Sequence, residues 1–158
     1  MSRPILVSIL FGSENDRPTL EETSKILDSF GVGHEMNHAS AHRSPELVRE
    51  IVGGAAGRGV RVFIAAAGMA NHLAGTVAAH TTLPVIGVPL SGPSLGGADA
   101  LYSTVQMPPG VPVATVAIGT PGAKNAAILA VQILALSDPQ LAEMLVDLKA
   151  RLARGEKV

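Results

Sequence analysis

Short apolar runs alternate with longer stretches of helical periodicity along the whole chain, without an internal repeat, a low-complexity tract or an evident linker. The runs ILVSILFG (5–12), VRVFIAAAG (60–68), PVIGVP (84–89) and VPVATVAIG (111–119), with a weaker one at 32–38, are rich in β-branched residues and predict strands. The apolar character on both faces of these runs predicts parallel strands buried on both sides. Between them, helical patterns fall at 19–30, 45–57, 70–81, 97–105 and 122–136. Thr19 with Glu22 matches a capping box, and Ser44 followed by Pro45 reads as a cap with proline in the first helical position. Strands alternating with helices predict an α/β fold with an open parallel sheet covered on both sides. The last segment, 138–154, places Leu141, Leu145, Leu148 and Leu152 on one face of an amphipathic helix. That stripe needs a cover. Because it follows a sheet already supplied with helices, the expectation is that it packs on a neighbouring subunit, with its own domain as the alternative.

Composition narrows this picture. A chain of 158 residues that is 47% hydrophobic but only 3% aromatic suits one domain, 1–158, with a core of small aliphatic side chains. The formal net charge is −1 and the basic residues are scattered, which argues against nucleic acid or an anionic membrane as a partner and for a small ligand. The chain has no cysteine, so disulfides, thiolate chemistry and thiolate zinc sites are excluded, in keeping with a reducing cytosol. The opening MSRPILVSILFG lacks the pattern of an export signal, and no apolar run approaches the roughly 20 residues that span a bilayer. The expectation is a soluble cytoplasmic protein.

In open parallel sheets ligands bind beyond the carboxyl ends of the strands, so the loops after the strands are where chemistry belongs. GSEND (12–16) follows the first strand and opens a helix, where backbone N–H groups and the Ser13 hydroxyl can hold an anion. It is neither GxGxxG nor a Walker A loop, so neither a dinucleotide nor a nucleoside triphosphate is indicated. Asp16 suits either ribose hydroxyls or a helix cap. The second loop, HASAHRSP (38–45), offers Arg43 as a planar fork for phosphate and His42 as a proton carrier near neutral pH. Read by themselves, both fit solvated loop residues better than a site. The third loop, AAAGMANHLAG (65–75), has Gly68 where a backbone could approach a ligand, then Asn71 and His72 at a helix start. His72 alone reads as structural. All three loops follow the first three strands and should meet on one rim, which raises the odds for chemistry there. His34, His38 and His80 read as structural and Met107 as a core or rim contact. The histidines lack carboxylates at ligand spacing, so no metal site is expected.

GSEND, SAHRSP, AGMANHLAG, LPVIGVP, ADALYSTVQMPPGVPVATVAIG and GAKNAAILAVQILAL, in that order between residues 5 and 137, resemble the bacterial N5-carboxyaminoimidazole ribonucleotide mutases of purine biosynthesis, historically called phosphoribosylaminoimidazole carboxylases. The resemblance implies a flavodoxin-like three-layer sandwich with an extra C-terminal helix, assembled as a homo-octamer with active sites between subunits. It implies a ribonucleotide substrate and no cofactor. Carboxylate moves from N5 to carbon 4 of the aminoimidazole ring, and His42 serves as general acid and base. Substrate-binding positions map onto Gly12, Ser13, Asn15 and Asp16, onto Ser40, Ala41 and Arg43, and onto Gly68, Met69, Ala70, Asn71, His72 and Leu73.

This chain departs from the family pattern at several places. It has Asn15 where the mutases have serine, Arg17 where tryptophan is common, and Ala74 where proline is common. Asn71 matches an asparagine of the related carboxylases that use free carbon dioxide, while His72, Leu73 and Arg43 keep the mutase pattern. The mutase is therefore the expected reaction, with the direct carboxylase as its nearest rival. A non-catalytic nucleotide-binding module is a further alternative, since fold alone does not confer activity. A flavin carrier fits less well, because the chain has one tyrosine and no tryptophan to stack on an isoalloxazine.

Overall fold

The computed structural model describes residues 3–158. The apolar runs become β1 (Ile5–Phe11), β2 (Gly33–His38), β3 (Val62–Gly68), β4 (Val85–Leu90) and β5 (Ala114–Thr115). All pair in parallel in the order β2-β1-β3-β4-β5. This is the flavodoxin-like order, in which the winding reverses between β1 and β3, and the crevice at that switch point is where such sheets bind ligands. The helices are α1 (Arg17–Ser29), α2 (Pro45–Ala55), α3 (Leu73–Ala79), α4 (Ala98–Val105), α5 (Thr120–Ala135) and α6 (Pro139–Ala153).

Alternation along each strand divides the core into two layers. Val7, Ile9 and Phe11 of β1 and Val62, Ile64 and Ala66 of β3 face α1 and α5, while Leu10, Phe63 and Ala65 face α2 and α3. Both layers are built from apolar side chains, as the two-faced apolar runs require. On the first face, Thr23 of α1 donates to the carbonyl of Ala123 of α5 at 2.8 Å, which satisfies a buried hydroxyl between the two helices.

Three elements differ from their sequence-based outlines. The run 111–119 yields only a two-residue strand, because β5 is an edge strand and Pro108, Pro109 and Pro112 remove donors around its start. The chain nevertheless stays beside β4, with Val116 N–H donating to Gly87 and Gly119 N–H to Pro89. The Thr19–Glu22 capping box does not form, since α1 already begins at Arg17 with Pro18 in its first turn. Ser44 does precede α2, but its hydroxyl bonds Ser40 instead of capping the helix. The C-terminal helix starts where expected, and the Asp138 carboxylate caps it by accepting from Gln140 and Leu141. Leu141 and Leu148 are buried in the first core layer, with Leu145 packed against it, while Leu152 is 37% exposed. Most of the stripe is thus covered by this chain's own core.

Candidate active site

The loops after β1, β2 and β3 meet at the carboxyl edge of the sheet and enclose a cavity of about 570 Å³. Small-molecule sites run from about 300 to 1,000 Å³. Gly12, Ser13, Asn15 and Asp16 line it from the first loop, Ser40, Ala41, His42 and Arg43 from the second, and Gly68, Met69, Ala70, His72 and Leu73 from the third. Ser91, Gly92 and Pro93, after β4, complete the lining. Sequence reasoning passed over this fourth loop because SGP carries no titratable group. The sheet rule that selected the other loops applies to the one after β4 as well.

The second loop is a self-closed turn. Ser44 Oγ accepts from the Ser40 N–H at 3.0 Å, the Ser44 N–H donates to the Ser40 carbonyl at 2.9 Å, and Ser40 Oγ accepts from the Arg43 N–H at 3.2 Å. Buried Ala39 anchors the turn, its N–H donating to Phe11 at 3.0 Å. These bonds leave His42 and Arg43 exposed at the tip. Arg43 reaches across the cavity mouth and donates through Nη2 to the Gly12 carbonyl at 2.5 Å, tying the second loop to the first.

His42 does not stand alone. His72 Nδ1 lies 3.3 Å from His42 Nε2, and the two ring centroids are 5.2 Å apart at a tilt of 54°. Such a contact is a hydrogen bond only when one nitrogen carries the hydrogen and the other presents its lone pair, so each ring constrains the tautomer of the other. Both rings are exposed to the cavity, in contrast to the structural reading that His72 invites when taken by itself.

Asp16 lies at the start of α1 but makes no capping hydrogen bond through its side chain, so its carboxylate is available to the cavity. Burial pushes this carboxyl above the usual aspartate range, opposed by a backbone hydrogen bond from Ser13 and by the charges of His38 and Arg43. Beside it, His38 stacks on Phe11 with centroids 5.7 Å apart and sets Nδ1 3.3 Å from Glu14 Oε1. Arg17 holds the same Glu14 through two bonds of 2.7 and 2.9 Å and covers the Phe11 ring at 4.8 Å. Arg17 and His38 therefore build the wall of the first loop and do not line the cavity.

Asn71 departs from its expected place among the substrate contacts. It is fully buried and absent from the cavity lining, because its amide nitrogen turns away to donate to Thr104 Oγ1 at 2.8 Å and Val88 O at 3.4 Å. The backbone reversal that produces this begins at Met69, which has φ 56°, the only positive value at a non-glycine among the described residues. Left-handed backbone at such a residue is costly and persists where surrounding contacts impose it. His34, by contrast, is held by Ser24 Oγ and by Val32 O at 3.1 Å, and His80 by Thr76 O at 2.8 Å, all away from the cavity. Among the described residues no group of acidic and histidine side chains is arranged to hold a metal.

Residues 6–155 match the AIR carboxylase family. The N5-carboxyaminoimidazole ribonucleotide mutase of Pyrococcus abyssi is 49% identical over 148 residues, which cover 94% of this chain and 84% of that protein. The mutase of Vibrio cholerae is 46% identical over 145 residues, 92% of this chain and 90% of that one. Among solved structures, Treponema denticola PurE superposes with a TM-score of 0.85 at 32% identity, covering 95% of this chain and 92% of that one.

Proposed function

Because the chain belongs to the AIR carboxylase family, we propose that it converts N5-carboxyaminoimidazole ribonucleotide to 4-carboxy-5-aminoimidazole ribonucleotide in purine biosynthesis. The reading is carried by one observation in particular: a histidine pair, His42 and His72, facing a cavity that also offers a cation and a carboxylate. Ser13 and Arg43 hold the phosphate, since a hydroxyl and a planar guanidinium match its acceptor oxygens. Asp16 accepts from the ribose hydroxyls. Backbone groups of the loop from Gly68 to Leu73, with Asn15, Ser40 and Ala41 at the edges, enclose the base and its carboxylate.

The reaction then needs one proton lent and returned. The bond from N5 to the carboxyl carbon breaks, releasing carbon dioxide into the cavity, while His42 gives N5 a proton. Carbon 4 of the resulting aminoimidazole attacks the held carbon dioxide, and His42 removes the hydrogen from carbon 4 as the ring regains its aromaticity. His72 fixes the ring of His42 between these two steps. Retention in the cavity makes recapture effectively unimolecular, where a molecule lost to solvent would have to be found again.

A paired assay tests this. Purified protein should form 4-carboxy-5-aminoimidazole ribonucleotide rapidly from the N5-carbamate and only at high bicarbonate from aminoimidazole ribonucleotide. Efficient use of dissolved carbon dioxide without a carbamate preference would move the chain to the direct carboxylases instead. The buried amide of Asn71 weakens that rival, since it cannot touch carbon dioxide in the cavity.

Asp16 supplies a pH-dependent prediction. As pH falls through its raised pKa the carboxylate is neutralised, so KM should rise at a higher pH than an ordinary aspartate would cause, with kcat little changed. Asp16→Asn should show a high KM without that acid limb. The same burial acts on stability with the opposite sense. A carboxyl whose pKa is raised by folding supports the folded state in its neutral form. That support is lost as pH climbs from the ordinary aspartate range through the raised value. Asp16→Asn should therefore melt at or above the temperature of the parent at neutral pH, which a thermal scan checks.

The same reading takes the working form as a homo-octamer in the cytoplasm. Exposed Leu95, Tyr102 and Val105 lie on α4 and the segment before it, which supports a subunit contact there. Light scattering of the purified protein measures the assembly directly.

A further inference from the structure

We propose that Asn71 and Thr104 form a positioning pair that locks the third loop against α4 and so sets the place of His72 in the cavity. The inference rests on the mutase reading for its activity measurement. Both residues are fully buried, and neither touches the cavity. Thr104 Oγ1 donates its one hydrogen to Ala100 O at 2.6 Å, so it can only accept from Asn71, which orients the amide with Nδ2 toward it at 2.8 Å. One position earlier on α4, Ser103 Oγ accepts the Asn71 N–H at 3.0 Å and donates to Asp99 O at 2.6 Å. Side chain and backbone of one loop residue are thus pinned to successive residues of one helix.

The placement of this lock gives it a catalytic consequence. Two residues before it, Met69 sits in the left-handed region at φ 56°, and one residue after it His72 meets His42 at 3.3 Å. A strained turn without such a clamp would relax toward ordinary backbone and carry His72 with it. The cost of the lock is also visible: Asn71 Oδ1 is buried without a partner, so the side chain is not there for the best stability of the fold. Removing Asn71 leaves Thr104 its bond to Ala100 and takes from Val88 O only the long contact of 3.4 Å.

The test is a double-mutant cycle on the full chain with Asn71→Ala, Thr104→Val and both together, with Thr104→Ser as the variant that keeps the hydroxyl. Each single substitution should lower kcat about tenfold with KM within about twofold, since small misplacements of reacting groups carry penalties of this order. The double variant should be no slower than the slower single one, because both remove the same bond. Thr104→Ser should keep the parent's kcat, and Asn71→Ala should keep its melting temperature. Imidazole nitrogen–proton NMR correlations of His42 and His72 should shift in Asn71→Ala, a change that a purely structural role would not produce. Parental kcat and unshifted histidine signals in Asn71→Ala would overturn the proposal, as would losses that multiply in the double variant. If the parent itself fails to turn over the carbamate, the mutase reading is at fault. The NMR comparison then still decides the positioning claim.

Discussion

His42→Asn lowers kcat by about a hundredfold to ten-thousandfold, the range that a positioned general acid and base contributes, while the nucleotide still binds within a few-fold of the parent affinity. Two observations separate these effects. The ring reaches the cavity at the exposed tip of a turn whose fold depends on Ser40, Ser44 and Ala39 and not on His42 itself. Ser13, Arg43 and Asp16, to which the proposed function gives the phosphate and the ribose, line the cavity as separate side chains. Asparagine is close to the ring in polarity and can donate toward His72, but it cannot carry a proton near neutral pH. Titration with product by calorimetry reports binding, and the carbamate assay reports turnover. Full turnover in the variant would remove His42 from the chemistry, and loss of binding along with turnover would make it a ligand contact. A nucleotide-binding module without catalysis predicts a third result, a parent protein that binds and never turns over.

Gly122→Ala should have the largest effect on the fold. A Cβ at this position in the first turn of α5 would lie 1.6 Å from the carbonyl oxygen of Ala117 and 2.6 Å from its carbon, both backbone atoms with no side-chain torsion to turn aside. Relief requires moving α5 or the strand-like segment before it. α5 carries Ala123, Ala126, Ala127, Ala130, Val131 and Leu134 into the first core layer, so a shift at its start opens packing along its length. Overpacking ordinarily costs about 1–3 kcal/mol, and a clash with backbone on this scale belongs at or above the upper end. For a chain of this size that corresponds to a drop in Tm of roughly 6–12 °C. Gly53→Ala is the control, since a Cβ there meets nothing within 4 Å. A soluble Gly122→Ala protein melting within a degree or two of the parent would mean that the backbone around Ala117 yields easily.

The two histidines illustrate how far a linear reading reaches. His42 stood out because it shares a short turn with Arg43 and follows a strand, a local property. His72 taken alone reads as structural, because nothing nearby in sequence engages it, and only the convergence of the loops and the family resemblance put it among the substrate-binding positions. Its partner lies 30 positions away and arrives only when β1, inserted between β2 and β3, brings their loops to one edge. Asn71 shows the converse. Its neighbours in sequence line the cavity, yet the left-handed turn at Met69 sends its side chain into the core, and no local rule predicts a positive φ at methionine.

The α/β class, the parallel strands at β1, β3 and β4 and the loops that could bear chemistry were determined by sequence alone. Buried parallel strands must be apolar on both faces, and that leaves a pattern readable one residue at a time. The C-terminal helix was legible from its spaced leucines, and the structure adds the Asp138 cap. Tertiary structure decided the rest: the shortness of β5 at a proline-flanked edge, the seat of α6 on the first core layer, the loop after β4 in the cavity wall, and the direction of Asn71. Each of these depends on contacts between residues far apart in the chain. Their energies appear only once the sheet order has brought the partners together.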